Sequence, residues 1–277
     1  MSLSPSQPVP DCPSSPSPGS EALSARRGSI GLTVSDGVAQ LVFRREGERN
    51  AISPDLLAEL ESVLTAVERA ESVKLLVLQG EGRVFSAGAD LAAVDALASR
   101  AALAFFDRGR ALVRRLERLD ALSVAAVNGL ALGGGFEIAL ACDLRWAHTR
   151  AVFGFPEYQL GLIPAWGGVQ FLHRLPSSAQ ALKLVTRGHY IGARAAHRFG
   201  LVDRMFEGPD FAAQVRRAVD ELAGRDSGVL RTLKRRSQES AAGVGEPSDS
   251  AVAETFRELW SRRAAARLST HPRSVTS

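Results

Sequence analysis

The stretch Val127–Asp143, "VNGLALGGGFEIALACD", decides the fold because it joins a strand-like run to an apolar helix through three consecutive glycines. A helix that begins near Gly134 would present unpaired backbone N–H groups and the positive end of its dipole at its first turn. Glycine lets a ligand oxygen come close to those N–H groups. Glu137 would lie on the same face of that helix, three residues further on. The stretch therefore predicts an N–H donor and a carboxylate around one small volume. Taken alone, it also fits a flexible loop followed by a glutamate that suits a first helical turn.

Length and composition favour an ordinary globular protein. The 277 residues suit one large domain or two small ones, and 45% of them are hydrophobic. The longest apolar run falls short of the roughly 18 to 20 residues that span a bilayer, and the N-terminus lacks a signal pattern. We expect a soluble, cytoplasmic protein that does not bind membranes. Cys12 and Cys142 offer neither a disulfide framework nor metal-ligand spacing.

The positive charge has no pattern that points to nucleic acid. The net charge of +4 comes almost wholly from arginine, since Lys74, Lys183 and Lys234 are the only lysines. The arginine doublets are scattered, and most alternate with acids on helix faces. A nucleic-acid site would need a basic stripe interleaved with aromatic residues, so we expect no nucleic-acid partner.

The order of predicted elements indicates an α/β core between a disordered tail and a helical C-terminal part. Residues 1–28 are rich in proline and serine and poor in apolar residues, which predicts disorder. Strands are predicted at 38–43, 74–80, 123–129, 144–148 and 151–155, and helices at 53–70 and 101–119, the first opening with Ser53 and Pro54. This alternation is typical of parallel βαβ units. After Gly167 the segments 167–175, 177–188, 193–200, 210–240 and 249–268 read as helices.

Two further segments combine small residues with carboxylates. "VFSAGADL", residues 84–91, follows a predicted strand, and its small residues would let a ligand approach the backbone. Asp90 is well placed to cap the next helix. "FGFPEYQLGLIPAWGG", residues 153–168, carries Glu157 directly after Pro156. Alone, each segment also fits a structural or surface role.

Together the three segments resemble the crotonase superfamily, and within it the enoyl-CoA hydratases. The family pattern has an "AGAD"-like loop, an "NG-x-A-x-GGG-x-E" loop and helix, and a "PE" turn followed by "G-x-x-P-x-x-GG". The matching residues are Ala87–Asp90, then Asn128 to Glu137, then Pro156 to Gly168. "ERNAIS", residues 48–53, is similar to the family's opening segment on the CoA side. The resemblance runs from about Ile30 to the 260s and omits the tail.

The resemblance implies a crotonase-type ββα spiral core over residues 29–200 and a helical trimerisation region over 201–277. It implies that the N–H groups of Ala87 and Gly134 form an oxyanion hole for an acyl-CoA thioester, with Glu137 and Glu157 as the catalytic acids. The substrate-binding residues would be Arg49, Ala51, Ala87, Gly88, Ala89, Asp90, Gly133 and Gly134. The implied reaction is hydration of a trans-2-enoyl-CoA to a 3-hydroxyacyl-CoA by a lyase of fatty acid metabolism. No metal or other cofactor is expected, coenzyme A being part of the substrate, and the implied assembly is a homotrimer or homohexamer.

Alternatives remain at this stage. Enoyl-CoA isomerases look similar but often keep only the carboxylate at position 157, and a few crotonase relatives are RNA-binding or non-catalytic. Relatives often carry Lys-Pro where Leu122-Ser123 stands, and the chain end lacks a helix that often reaches CoA. Phe105, Phe106, Phe155 and Trp166 either line the acyl tunnel or pack in the core. His148, His173, His189 and His197 show no ligand spacing and are expected at the surface or as satisfied core residues.

Overall fold

A computed structural model describes residues 28–172, 184, 186 and 190–241 of the chain. The predicted disordered tail lies outside these residues apart from Gly28, and so do Cys12, His173 and His189. The predicted helix at 249–268 is also outside, and only two residues of the one predicted at 177–188 are described.

Two sheets form the framework. The larger has the strand order β1-β2-β3-β5-β7-β10 and the smaller the order β4-β6-β8-β9. The bounds of the strands are β1 Ile30–Ser35, β2 Val38–Phe43, β3 Leu75–Gly80, β4 Val84–Ser86, β5 Leu122–Val127, β6 Leu130–Leu132, β7 Leu144–His148, β8 Val152–Gly154, β9 Ile191–Gly192 and β10 Arg204–Phe206.

Most neighbouring strands run parallel. β1 and β2 form an antiparallel hairpin around Asp36-Gly37, both with positive φ, as a tight two-residue turn requires. From β2 to β10 the large sheet is parallel, with Leu78 opposite Ala125 and Ala126 opposite Trp146. In the small sheet β4, β6 and β8 are parallel, and β9 joins β8 antiparallel.

The chain passes repeatedly from the large sheet to the small one and then into a helix. β3 leads into β4, β5 into β6 and β7 into β8. The helices are α1 Pro54–Arg69, α2 Leu91–Asp95, α3 Ser99–Glu117, α4 Gly134–Ala141, α5 Gly168–Leu172, α6 Ala193–Arg198, α7 Phe211–Ala223 and α8 Ser227–Ala241, with 3-10 turns at Glu46–Glu48 and Pro156–Leu160. This succession of ββα units is the predicted spiral core.

Alternating residues of the large sheet pack into two hydrophobic clusters, one on each face of the sheet. Leu76 and Leu78 belong to the main core with α1, α3 and α4, and Leu75 and Val77 face a second cluster closed by α7. All eight residues of α4 are buried, so this helix has no solvent face. Glu137 is therefore held in the middle of the core.

The helix α8 is anchored to the large sheet by a buried ion pair. Lys234 Nζ lies 2.7 Å from Asp143 Oδ2 and donates to the carbonyl of Ala121 at 2.9 Å. Ser123 donates to the same carboxylate through its N–H and its hydroxyl, each at 2.7 Å. Ser123 thus gives the sheet a polar anchor for α8.

Most predicted elements are confirmed within one or two residues. α1 begins after Ser53, whose hydroxyl accepts from the Leu56 N–H at 3.2 Å, and α4 begins at Gly134 as expected. Between the segments predicted as helices after Gly167 lie two short strands that were not predicted, β9 and β10, and β10 joins the large sheet beside β7. No helix among the described residues is long and apolar enough to cross a membrane.

Candidate active site

The three sequence motifs meet at the carboxyl ends of three parallel strands of the small sheet. Ala87–Ala89 follow β4, Gly133 and Gly134 follow β6, and Pro156 and Glu157 follow β8. These segments line a pocket of about 80 Å³ together with Glu137 and Trp166. Ligands of parallel sheets bind beyond the carboxyl ends of strands, so this pocket is the candidate active site.

Each of the three glycines at the start of α4 makes room for a different neighbour. Gly133 has a φ of 47°, and a Cβ there would lie 2.7 Å from Glu157 Oε1. A Cβ on Gly134 would lie 2.7 Å from the indole of Trp166, and one on Gly135 would lie 2.6 Å from the Ser86 backbone oxygen. At Gly134 the neighbour is a buried indole and at Gly135 it is backbone, so a larger residue at either position would push the motifs apart.

Glu137 is buried and held by main-chain amides. Its Oε1 accepts from the N–H groups of Trp166 and Gly168, each at 2.7 Å, and only 2% of the residue is exposed. Burial raises its pKa to about 7, the negative charge of Glu157 raises it too, and the amide donors oppose the shift. The side chain can therefore exchange a proton near neutral pH.

Glu157 reaches the same pocket from the 3-10 turn after β8. Pro156 opens this turn, and the Glu157 carbonyl accepts from the Leu162 N–H at 2.9 Å, which fixes the backbone. Burial raises the pKa of Glu157 to about 7, and its Oε2 is buried with no hydrogen-bond partner among the described residues. A carboxyl oxygen in that state favours the protonated form.

The raised pKa of Glu137 predicts a pH-dependent cost to stability. Between pH 4.5 and about 7 the folded protein binds more protons at this carboxyl than the unfolded chain, so the free energy of unfolding falls as pH rises. Glu137→Gln removes this pH-dependent contribution to the free energy of unfolding. From pH 4.5 to pH 8 we expect the variant to gain on the order of 3 kcal/mol relative to wild type, measured by urea unfolding. Parallel pH profiles for the two proteins would contradict the assignment.

One predicted oxyanion donor is wrong. The N–H of Ala87 donates to the Arg49 carbonyl at 3.0 Å, so it is not available to a ligand. Gly88 has a φ of 92°, so the chain bends sharply at this residue. Its carbonyl accepts from the Ile52 N–H at 2.8 Å, and the Asp90 N–H donates to the Ile52 carbonyl at 3.0 Å. The intervening N–H of Ala89 must therefore point away from Ile52.

Ala89 and Gly134 supply the free amides of the pocket. Both residues line it, and neither N–H has a hydrogen-bond partner within the described part of the chain. Gly134 is the first residue of α4, so its N–H has no acceptor inside the helix. A Cβ on Gly88 would lie 3.3 Å from the Gly134 nitrogen, which shows how closely the two segments approach.

Three other predicted binding residues do not line the pocket. Arg49 is exposed in a left-handed conformation, and its carbonyl accepts from the Ala87 N–H; its assignment to the CoA ester stays a prediction. The Ala51 carbonyl accepts from Arg45 Nη1 at 2.6 Å. Asp90 caps α2 by accepting from the Ala93 N–H at 3.2 Å, as its position predicted, and lies 3.3 Å from Arg45 Nη2.

Two buried polar side chains, missed in the sequence, support the loop that carries Ala89. Ser86 donates to the Asn50 carbonyl at 2.8 Å and accepts from the Gly88 N–H at 3.2 Å. The Asn50 side chain accepts from the Arg45 N–H and donates to the Val84 carbonyl, each at 2.8 Å. Ser86 stands between an apolar strand and small residues, but Asn50 directly follows the mostly charged residues 44–49, so the sequence carried no signal of its burial.

The aromatic residues divide between the pocket and the core. Phe106 and Trp166 line the pocket. Phe105 and Phe155 are buried in the main core and are not among the residues that line the pocket; the Phe155 ring is tilted against that of Phe136, with centroids 4.9 Å apart.

The described histidines are structural. His148 is buried with both ring nitrogens hydrogen-bonded, and His197 lies 2.7 Å from the Val202 carbonyl oxygen. Within the described ranges, no three His, Cys, Asp or Glu side chains cluster as a metal site would require.

Comparisons with known proteins agree with this geometry. The family model for enoyl-CoA hydratase/isomerase matches residues 33–263. Crotonyl-CoA hydratase of Syntrophomonas wolfei is 34% identical over 80% of this chain and 84% of its own length, and 4-chlorobenzoyl coenzyme A dehalogenase-2 of an Arthrobacter species is 32% identical over 77% and 79%. The crystal structure of an enoyl-CoA hydratase subunit from Geobacillus kaustophilus superposes with a TM-score of 0.77 at 32% identity, covering 89% of this chain and 97% of that one. The chain belongs to the enoyl-CoA hydratase/isomerase family of the crotonase superfamily.

Proposed function

We propose that this protein is an enoyl-CoA hydratase, a lyase that adds water across the double bond of a trans-2-enoyl-CoA. The observation that carries the proposal is the pair of carboxylates, Glu137 and Glu157, that line one pocket beside two free amides; burial raises the pKa of each to about 7. Hydration needs a base, an acid and a site for a developing oxyanion, and this pocket supplies each of them.

The amides of Ala89 and Gly134 are proposed to hold the thioester carbonyl oxygen. Addition of water at Cβ moves electron density onto that oxygen, and the resulting enolate is stabilised by donors fixed in advance. Each such donor is typically worth ~10²–10³ in rate. Ala89 therefore replaces Ala87, which the sequence resemblance had suggested as an oxyanion donor.

The two glutamates differ in a way that suits separate roles. Glu137 accepts two main-chain N–H bonds at one oxygen, which favours the carboxylate and makes it the base that takes a proton from water. Glu157 has a buried oxygen without a donor, which favours the acid that protonates Cα. The hydroxyl forms the new bond at Cβ and a proton enters at Cα, so the product is the 3-hydroxyacyl-CoA. These proton transfers require no metal or redox cofactor, and none is proposed.

The partners and setting follow from the resemblance. We propose an acyl-CoA thioester as substrate, assembly of this chain as a homotrimer or homohexamer, and work in the cytoplasm in fatty acid metabolism. We propose no nucleic-acid or membrane partner. Sedimentation equilibrium measures the assembly, and a salt-dependent RNA-binding assay tests the non-catalytic alternative.

The test of the reaction is direct. With crotonyl-CoA we expect loss of the absorbance of the conjugated enoyl thioester and a product heavier by one water, identified by mass spectrometry. A trans-3-enoyl-CoA is the matched substrate for isomerisation, in which that absorbance appears without a change of mass. A protein that converts only the second substrate is an isomerase, and one that converts neither is not the proposed enzyme.

A further inference from the structure

Trp166 has the largest side chain at the inner end of the pocket that the described residues form. The exposure of the lining residues distinguishes the two ends: Leu160, Leu162 and Ile163 are 54%, 49% and 73% exposed and mark the mouth, whereas Glu137 and Trp166 are each 2% exposed and lie at the inner end. We propose that the indole of Trp166 ends the acyl pocket and restricts the enzyme to short 2-enoyl-CoA substrates. This inference rests on the proposed function and names its substrate class.

The indole is fixed between two helices. Trp166 packs on Gly134 at the start of α4 and on Gly109 within α3, where a Cβ would lie 2.0 Å from the indole Cε2. Its ring centroid lies 5.6 Å from that of Phe105. Glycine is unfavourable inside a helix, and at position 109 any side chain would overlap the indole. Because Gly109 and Gly134 both lie against the ring, the buried indole has little room to change its orientation.

The indole lies directly beside the proposed chemistry. The main-chain N–H of Trp166 donates to Glu137 Oε1 at 2.7 Å, and its ring contacts Gly134, whose N–H is a proposed oxyanion donor. An acyl chain that continues past the reacting carbons towards the inner end therefore meets the indole. The pocket of about 80 Å³ is also far below the ~300–1,000 Å³ usual for sites that enclose drug-sized ligands. It suits an acyl group of a few carbons, with the rest of the CoA ester outside the mouth.

The experiment compares two chain lengths in each protein. The measured quantity is the ratio of kcat/KM for a ten-carbon and a four-carbon trans-2-enoyl-CoA, which does not depend on the fraction of active protein. Trp166→Leu shortens the side chain and leaves the main-chain N–H in place. We expect the ratio to rise at least ~10-fold, since one methylene in an apolar pocket changes kcat/KM by roughly 10- to 200-fold. Trp146→Leu is the matched control, because Trp146 is also buried but packs beside Phe206 on the other face of the large sheet, and it should keep the wild-type ratio.

The outcomes separate this inference from the proposed function. The proposed role of Trp166 is wrong if the wild-type enzyme hydrates both substrates equally well, or if Trp166→Leu leaves the ratio unchanged. Either result leaves the hydratase activity intact. If wild type hydrates neither substrate, the proposed function fails. The role of Trp166 in limiting chain length is then tested by calorimetric binding of butyryl-CoA and decanoyl-CoA. We expect Trp166→Leu, but not Trp146→Leu, to improve the binding of the longer ester relative to the shorter one at least ~10-fold. An unchanged ratio of Kd values overturns it.

Discussion

Glu137→Gln and Glu157→Gln should each lower kcat for crotonyl-CoA hydration by at least ~10²-fold, because a positioned acid or base contributes ~10²–10⁴. Glutamine keeps the size of the side chain, and at position 137 its oxygen can still accept from the Trp166 and Gly168 amides. The substitution removes the ability to exchange a proton, together with the negative charge. The measurement is steady-state kinetics from the loss of enoyl absorbance, across a range of pH.

Glu221→Gln is a suitable control, since Glu221 is exposed on α7 and lies outside the pocket. It should hydrate crotonyl-CoA at the wild-type rate. Near-native hydration by both pocket variants would end the acid–base assignment of the pair.

Gly88→Ala should lower kcat by ~10²-fold or more, the usual effect of losing one oxyanion donor. Gly88 has a φ of 92°, and its Cβ would lie 2.7 Å from the Leu132 carbonyl oxygen, so the backbone at this position has to move. That movement turns the Ala89 N–H out of line with the Gly134 N–H. The kinetics are measured per folded molecule, with folding judged by near-ultraviolet circular dichroism.

Gly208→Ala separates this effect from the general cost of a positive φ. Gly208 also has a φ of 92°, and a Cβ there would meet nothing within 4 Å. Both variants lose roughly 1–2 kcal/mol of stability from the left-handed backbone, but Gly208 lies outside the pocket. If the kcat of Gly88→Ala matches that of Gly208→Ala, the oxyanion role of this loop is wrong.

The sequence predicted the long elements and the meeting of the three motifs because those features have strong local signals. β2, β3 and β5 are mostly apolar six-residue runs, and α1 carries both its cap and its helical spacing. The strands of the small sheet are three residues or fewer, so β4 and β6 could not be distinguished from loops. Their pairing depends on contacts between distant parts of the chain.

The choice of Ala87 over Ala89 failed for a related reason. Both are alanines in one small-residue segment, and the sequence does not show which amide is already bonded. The answer depends on the partner segment Arg49–Ile52 and on the turn at Gly88, which only the folded chain reveals. Arg49 and Ala51 were assigned to the ligand from the resemblance of residues 48–53, and that assignment stays a prediction; the structure shows that their carbonyls accept from Ala87 and Arg45.

Trp166 serves the site with two separate parts, its backbone holding Glu137 and its indole bounding the acyl space. Every amino acid except proline retains that backbone N–H. Evolution, or a protein engineer, can therefore vary residue 166 to accept new acyl groups while the base keeps its orientation. Substitutions at this one position can therefore change the range of substrates without changing how the catalytic base is held.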